Sequence, residues 1–306
     1  VGYAAGNAYT SNALTAVGWN SFGLCTTGGG NTCLGYRTGT ATTTGANNTA
    51  VGSQALVANT TASNNTAVGD SALIANTTGD LHVAIGGNAL ASNTTGRYSV
   101  AVGRNASNSQ TTANGTVAVG YRALEANTTG ENLAIGTNAL VSNTTASNNT
   151  AVGLYAAEFN TTGENNVALG SFALYSNTTA SNNTAVGHQA GYSNTTGAIT
   201  AFGQKALFAN TTGADNVAVG VQTLISNTEG NYNTAIGHTA LNANTTSSQN
   251  TAVGYQALTS QTTGTNVNTA VGYRALAAGN NANNYNNTAI GGYVLEDNIG
   301  SNNTGV

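Results

Sequence analysis

The sequence predicts an all-β fold, a parallel β-solenoid (β-roll) of about 17 turns. Three observations carry this: a fixed repeat period, a composition without proline, and apolar columns that recur in register. The motif Asn-Thr-Ala-Val-Gly returns along all 306 residues, with glycines at Gly52, Gly69, Gly86, Gly103 and Gly120 spaced by 17. The spacing falls to 16 at Gly136 and Gly203, and rises to 18 at Gly272 and 19 at Gly291. A unit this short cannot hold a helical pair or a propeller blade, but it suits one solenoid turn made of two short strands and their corners. Charged residues are only 5% of the chain, whereas a disordered polar linker relies on charge to stay expanded. One repeat domain over residues 1–306 is expected, with irregular end turns at about 1–35 and 272–306.

Each element of the turn is assigned by its column. The residue before the motif glycine is large and apolar, as in Val51, Val68, Ile85, Val102, Val119 and Phe202, so it is expected to point inward. The residue three before the glycine, such as Thr66, Val83 or Val117, shares that face by strand alternation. Four after the glycine stands a second apolar column, including Leu56, Leu73, Leu90, Leu124 and Leu174, read as the opposite wall of a thin core. Charges such as Asp70, Arg104, Arg122 and Glu125 avoid both columns, as the desolvation cost of a buried ion requires.

Two before the glycine the residue is almost invariably alanine. Ala50, Ala67, Ala84, Ala101, Ala118, Ala134, Ala151, Ala168 and Ala185 form this column, which is broken at Cys33. Alternation then turns these alanines outward, where an open position would accept Ser, Lys or Glu. They are therefore expected to pack against another copy of the chain in a closed homo-oligomer.

The run Asn48-Thr49-Ala50-Val51-Gly52-Ser53-Gln54-Ala55-Leu56 resembles the head repeat of YadA-like trimeric autotransporter adhesins, and is also similar to repeats of phage tail-fibre shafts. The family's head repeats are shorter, and here an Asn-Thr-Thr-Gly corner is inserted. The resemblance implies a left-handed β-roll, three chains around an axis, and a place outside the cell, on its surface or on a virion tail fibre.

The inserted corner places Asn59, Asn76, Asn93, Asn127, Asn143, Asn160, Asn177, Asn194 and Asn210 in one column. At a strand spacing of about 4.8 Å, stacked amides are expected to bond from turn to turn as a ladder. Many of these sites also read as Asn-x-Thr glycosylation acceptors. Glycans on every successive turn would collide, so the structural ladder is the favoured reading, with sparse modification as the alternative.

Cys25 and Cys33 are the only cysteines; an even pair in an extracellular fibre suggests a disulfide, the other reading being two buried thiols. His188 and His238 share a column three turns apart, roughly 14 Å, too far for one metal ion. No nucleophile elbow, phosphate loop or paired carboxylates appear, so no enzyme, cofactor or metal is expected. A net charge of −4 offers no basic stripe to nucleic acid, and no apolar run reaches membrane-spanning length.

The expected partner is the chain itself, as a trimer or as an end-to-end filament. The chain opens inside the motif at Val1-Gly2 and closes at Asn303-Thr304-Gly305-Val306 without polar caps, which suits either a longer chain or stacked subunits. A structural extracellular fibre with an adhesive role is the function expected. One alternative is a glycan- or receptor-binding module, using Trp19, Tyr36, Tyr121, Tyr255 and Tyr273 with Arg37, Arg122 and Arg274. The other is ice binding through Thr columns, though Thr60 and Thr61 sit at a corner and Glu229 interrupts the row.

Overall fold

The computed structural model describes residues 2–6, 14–264, 267–278, 285–298 and 300–306. It is an all-β parallel solenoid of about 17 turns, with no helix among the described residues. Two compact units divide the chain, Val1–Asn149 and Thr150–Val306. The irregular end turns expected at about 1–35 and 272–306 lie partly outside the described residues.

The first unit holds β1 (Leu14–Val17), β2 (Asn31–Leu34), β3 (Thr49–Val51), β4 (Thr66–Val68), β5 (Val83–Ile85), β6 (Val100–Val102), β7 (Val117–Val119) and β8 (Leu133–Ile135). The second holds β9 (Thr150–Val152), β10 (Val167–Leu169), β11 (Thr184–Val186), β12 (Ile199–Phe202), β13 (Asn216–Val219), β14 (Thr234–Ile236), β15 (Thr251–Val253), β16 (Thr269–Val271), β17 (Thr288–Ile290) and β18 (Thr304–Gly305). Within each unit consecutive strands pair in parallel with no slip: Ala67 lies opposite Ala84, and Ala168 opposite Ala185. The register holds where the period changes, since Ala118 meets Ala134 and Ala252 meets Ala270. Missing and extra residues are therefore absorbed in the corners.

Each turn has one strand, not two. After the motif glycine the chain runs through successive tight turns: Ala89 N–H donates to Gly86 O at 3.2 Å, and in the following turn of another coil Val57 N–H donates to Gln54 O at 3.2 Å. Asn88 and Leu56, the third residues of these turns, both take left-handed backbone, with φ of 58° and 53°. Turns of this kind need positive φ at their third residue, a conformation that glycine or asparagine usually supplies. A left-handed leucine costs about 1–2 kcal/mol. Burying its side chain completely contributes about 1.5–3 kcal/mol in return. Leu56, Leu73, Leu90, Leu124 and Leu174 are all fully buried, so the Leu column is a wall of the core as expected.

The opposite wall is the reverse of the expectation. Ala50, Ala67, Ala84, Ala101, Ala118, Ala134, Ala151, Ala168 and Ala185 are buried in their own chain, while the flanking Val and Thr residues turn outward. Alternation leaves open which face is inner, and a 17-residue coil decides it because its interior is narrow. Leu, a second alanine and two asparagine columns already fill it, so only a methyl group fits on the strand side. Small size at this column reflects lack of room inside, and these alanines are not available to another chain.

The motif glycine closes the strand where the backbones of adjacent turns come closest. At Gly69 φ is 139°, and an added Cβ would lie 2.6 Å from the carbonyl oxygen of Gly86. Both the backbone angle and the approach exclude a side chain.

Core volume is exchanged between columns within a turn and between neighbouring turns. Gly191 stands in the Leu column, and the space is occupied by Ile199, which replaces an asparagine two columns before the buried alanine of its own turn; a Cβ at Gly191 would meet Ile199 Cδ1 at 2.8 Å. Phe22 fills the equivalent space at Gly39, with a Cβ there lying 2.9 Å from Phe22 Cδ2. Ile199→Ala is expected to destabilise the fold by about 2–5 kcal/mol, the usual cost of emptying a buried aliphatic site. Gly191→Leu alone overpacks the same space at about 1–3 kcal/mol. The double variant Gly191→Leu/Ile199→Asn restores the ordinary column residues and is expected to be more stable than the sum of its single changes. Urea midpoints of the four proteins check this, and strict additivity would refute the exchange.

Candidate interaction surface

Inverting the strand puts two uncharged columns on the outside. In the first unit these are Thr49, Thr66, Val83, Val100, Val117 and Leu133, beside Val51, Val68, Ile85, Val102, Val119 and Ile135. The second unit presents Val152, Leu169, Val186, Phe202, Val219 and Ile236, of which Phe202 is 50% exposed. Every member is half-buried or exposed, with neighbours one strand spacing apart, about 4.8 Å. The result in each unit is a continuous apolar stripe flanked by polar corners.

The corners are organised by amides. All nine asparagines from Asn59 to Asn210 in the column described above are buried. Asn76 Nδ2 donates to Asn59 Oδ1 at 3.3 Å and Asn93 Nδ2 to Asn76 Oδ1 at 2.8 Å. Asn143 Nδ2 donates to Asn127 Oδ1 at 3.1 Å. In the second unit Asn177, Asn194 and Asn210 each donate to the asparagine before them, at 2.7, 3.3 and 2.8 Å. Each Nδ2 also reaches its own corner carbonyl, as Asn76 does to Gly79 O at 2.9 Å.

A second buried amide column, not among the sequence expectations, lies beside the first. Asn48, Asn65, Asn149, Asn166, Asn183 and Asn216 precede the outward Thr or Val. Asn65 N–H donates to Asn48 Oδ1 at 3.0 Å, while Asn65 Nδ2 donates to Gly79 O at 3.0 Å. The signal was present, because the motif itself begins with this asparagine.

Cys25 and Cys33 are free thiols, which overturns the disulfide reading. Both are buried, and Cys25 Sγ donates to the carbonyls of Gly28 and Thr43 at 3.6 Å. Cys33 occupies the inward alanine column, where burial pushes its thiol up to about 12. Among the described residues no three His, Cys, Asp or Glu side chains gather as a metal site.

Four of the five candidate aromatic side chains stack on a neighbour, while Tyr121 is exposed. Trp19 stacks on Tyr36 at 5.2 Å and Tyr255 on Tyr273 at 5.1 Å, with planes within 13° and 11°. Tyr175, Tyr192 and Phe208 form a further stack at 4.9 and 5.1 Å. Stacking along successive turns leaves ring edges facing water, where a sugar ring would need a face. The paired threonines are also unequal: Thr77 Oγ1 donates to Thr94 O at 3.0 Å, whereas Thr78 beside it is exposed. Of this pair only Thr78 faces solvent.

The chain matches no protein-family model, no curated protein and no solved structure.

His82 is the one buried histidine among the described residues and stands in the second amide column. Ser99 N–H donates to its Nδ1 at 3.2 Å, which leaves the hydrogen on Nε2 to bond Gly96 O at 2.6 Å. Burial holds its pKa below the ordinary histidine value, against the smaller upward pull of its backbone bonds and of Asp80. Asp80 is itself engaged by Arg97 at 2.8 Å and by Ser63 N–H. A lowered folded pKa means that stability is complete above about 6.5, the unfolded value, and is lost as the pH falls through the folded one. The thermal midpoint is expected to drop over that acid range, and His82→Asn, which restores the column, is expected to flatten the drop. Melting curves across the range check this, and an unchanged slope in the variant would refute it.

Proposed function

We propose that this chain is the subunit of an extracellular homo-oligomeric fibre, built by packing the outward apolar stripes of several copies together. The observation that supports the reading is the stripe itself: two adjacent columns of Val, Ile, Leu and Thr, uncharged throughout each unit and open to water in one chain. An apolar face of that length is unfavourable in contact with solvent. A second copy is the suitable occupant because it carries the same columns at the same spacing, so a parallel partner matches turn for turn. Three copies around an axis, each a left-handed roll, is the arrangement proposed on the resemblance of Asn-Thr-Ala-Val-Gly to YadA-like heads. A place on the cell surface or a virion, and an adhesive role, belong to the same proposal. It assigns no reaction and no cofactor.

Ice binding is less well supported. Val83, Val100, Val117 and Leu133 replace threonine on four consecutive turns of the outward face, so no regular hydroxyl lattice spans it.

Two charge insertions separate the stripe from the core. Val102→Glu with Val119→Glu is expected to convert the oligomer to monomer while the β-sheet circular dichroism signal persists. Ala118→Glu, one residue away, buries a carboxylate without a partner and is expected to cost at least 3 kcal/mol, on the order of what an uncompensated buried charge costs, and to unfold its turns. Sedimentation velocity together with circular dichroism checks both. A Val102→Glu/Val119→Glu protein that keeps the wild-type oligomer, or a wild type that is monomeric, would refute the proposal.

A further inference from the structure

We propose that Asn182 carries an N-linked glycan whose first sugar lies in the notch beside it; the proposal rests on the extracellular placement proposed above. Asn-x-Thr recurs in two columns of the structure, of which only one has an accessible amide, and occurs once more at Asn114-Gly115-Thr116, where Arg97 N–H donates to Asn114 Oδ1 at 2.9 Å. The ladder asparagines are closed to modification: Asn177 is fully buried, and its Nδ2 is committed to Asn160 Oδ1 at 2.7 Å and to Ala180 O at 3.0 Å. A sugar on that nitrogen would displace both bonds and has no space to occupy. Asn182-Asn183-Thr184 belongs to the other column, on the outer corner, where Asn182 is exposed with φ of 63°. Its backbone N–H is satisfied by Glu164 O at 3.0 Å, so holding the corner does not depend on the side-chain amide.

The turn that follows distinguishes Asn182 from its counterparts. That turn is a 16-residue one, and Gly197-Ala198-Ile199 passes directly into the strand without the left-handed corner residue. The omission leaves a surface notch of about 280 Å³ bounded by Asn182, Ala198, Ile199, Thr200, Asp215, Asn216 and Val217; it lies at the corner edge of the outward stripe, so the packed copies must leave this edge of the Thr200 and Val217 column uncovered. Asp215 is the corner residue of the next full turn, held there by its N–H bond to Ala198 O at 2.8 Å. Its carboxylate accepts hydrogen bonds from hydroxyl groups, and the Thr200 hydroxyl both donates and accepts, which suits the rim of a pyranose. The volume is near the lower end of small-ligand clefts, as fits one sugar ring. Asn64-Asn65-Thr66 lacks this room, because the exposed side chain of Leu81 stands in the same column one turn on.

The donor is an oligosaccharide carried on a polyprenyl diphosphate. Asn182 Nδ2 attacks the anomeric carbon, the N–C bond forms as the C–O bond to the diphosphate breaks, the diphosphate leaves with the electron pair, and one amide proton passes to solvent.

The test uses the native chain from its source, separated into surface and interior fractions and mapped by peptide mass spectrometry. The surface material is expected to carry a sugar mass on the Asn182 peptide and none on Asn160 or Asn177. Expressed in the same host, Asn182→Gln and Thr184→Val should lose that mass, and Thr184→Ser should keep it. Valine is compatible with the Thr184 position, since Val167 occupies the same column on the adjacent strand. Surface material with Asn182 unmodified, or sugar on Asn160 or Asn177, overturns this inference and leaves the fibre reading standing. Protein confined to the interior, without sugar, overturns both.

Discussion

Parallel stacking without slip sets each side chain above the same position of the next turn, about 4.8 Å away, so a column is stable only if its residue type tolerates a copy of itself. Carboxylates and ammonium groups repel their copies. A carboxamide does the opposite, since it offers two donors and an acceptor and bonds to the amide above it. This is why the corners of both units are asparagine, and why the few charges lie outside the ladder columns. Where an ionisable group does enter a buried column, as His82 does, burial disfavours its charged form, and its ring nitrogens take the place of the amide in bonding a backbone N–H and a carbonyl.

The second constraint is width. A single coil of 17 residues encloses one leucine, two alanines and two amides per turn, so buried polar contacts and buried hydrocarbon share the interior in similar measure. The usual association of large apolar side chains with the inside fails under that limit. Val119 points out and Ala118 points in, because only the smaller residue fits. The surplus apolar surface is then exposed on one face, and the interior of the proposed oligomer lies between chains.

Most of the architecture was legible from the column pattern: the parallel stack, its period, the burial of Leu56 and its equivalents, and the all-β class. What was not legible has physical reasons. Strand alternation in Thr66-Ala67-Val68 gives two faces but not which one is inner, and absence of charge marks a stripe that packs against another chain as readily as one that packs against its own. The second strand expected around Ala55-Leu56 proved to be left-handed turn, because propensity gives leucine little weight at positive φ and only tertiary packing places it there. Cys25 and Cys33 read as a bridge by count and context, yet both are buried as free thiols.

The traffic of volume between Phe22 and Gly39 bears on how such a chain grows by gene duplication. Most turns are interchangeable, because each meets its neighbours through the same leucine and amides. A recombination event that copied the turn holding Gly39 without the one holding Phe22 would leave a hole in the new array, and the reverse event would leave a clash. At this place the unit of inheritance is a pair of turns, so internal copies should preserve the pair intact even when single turns elsewhere have been gained or lost.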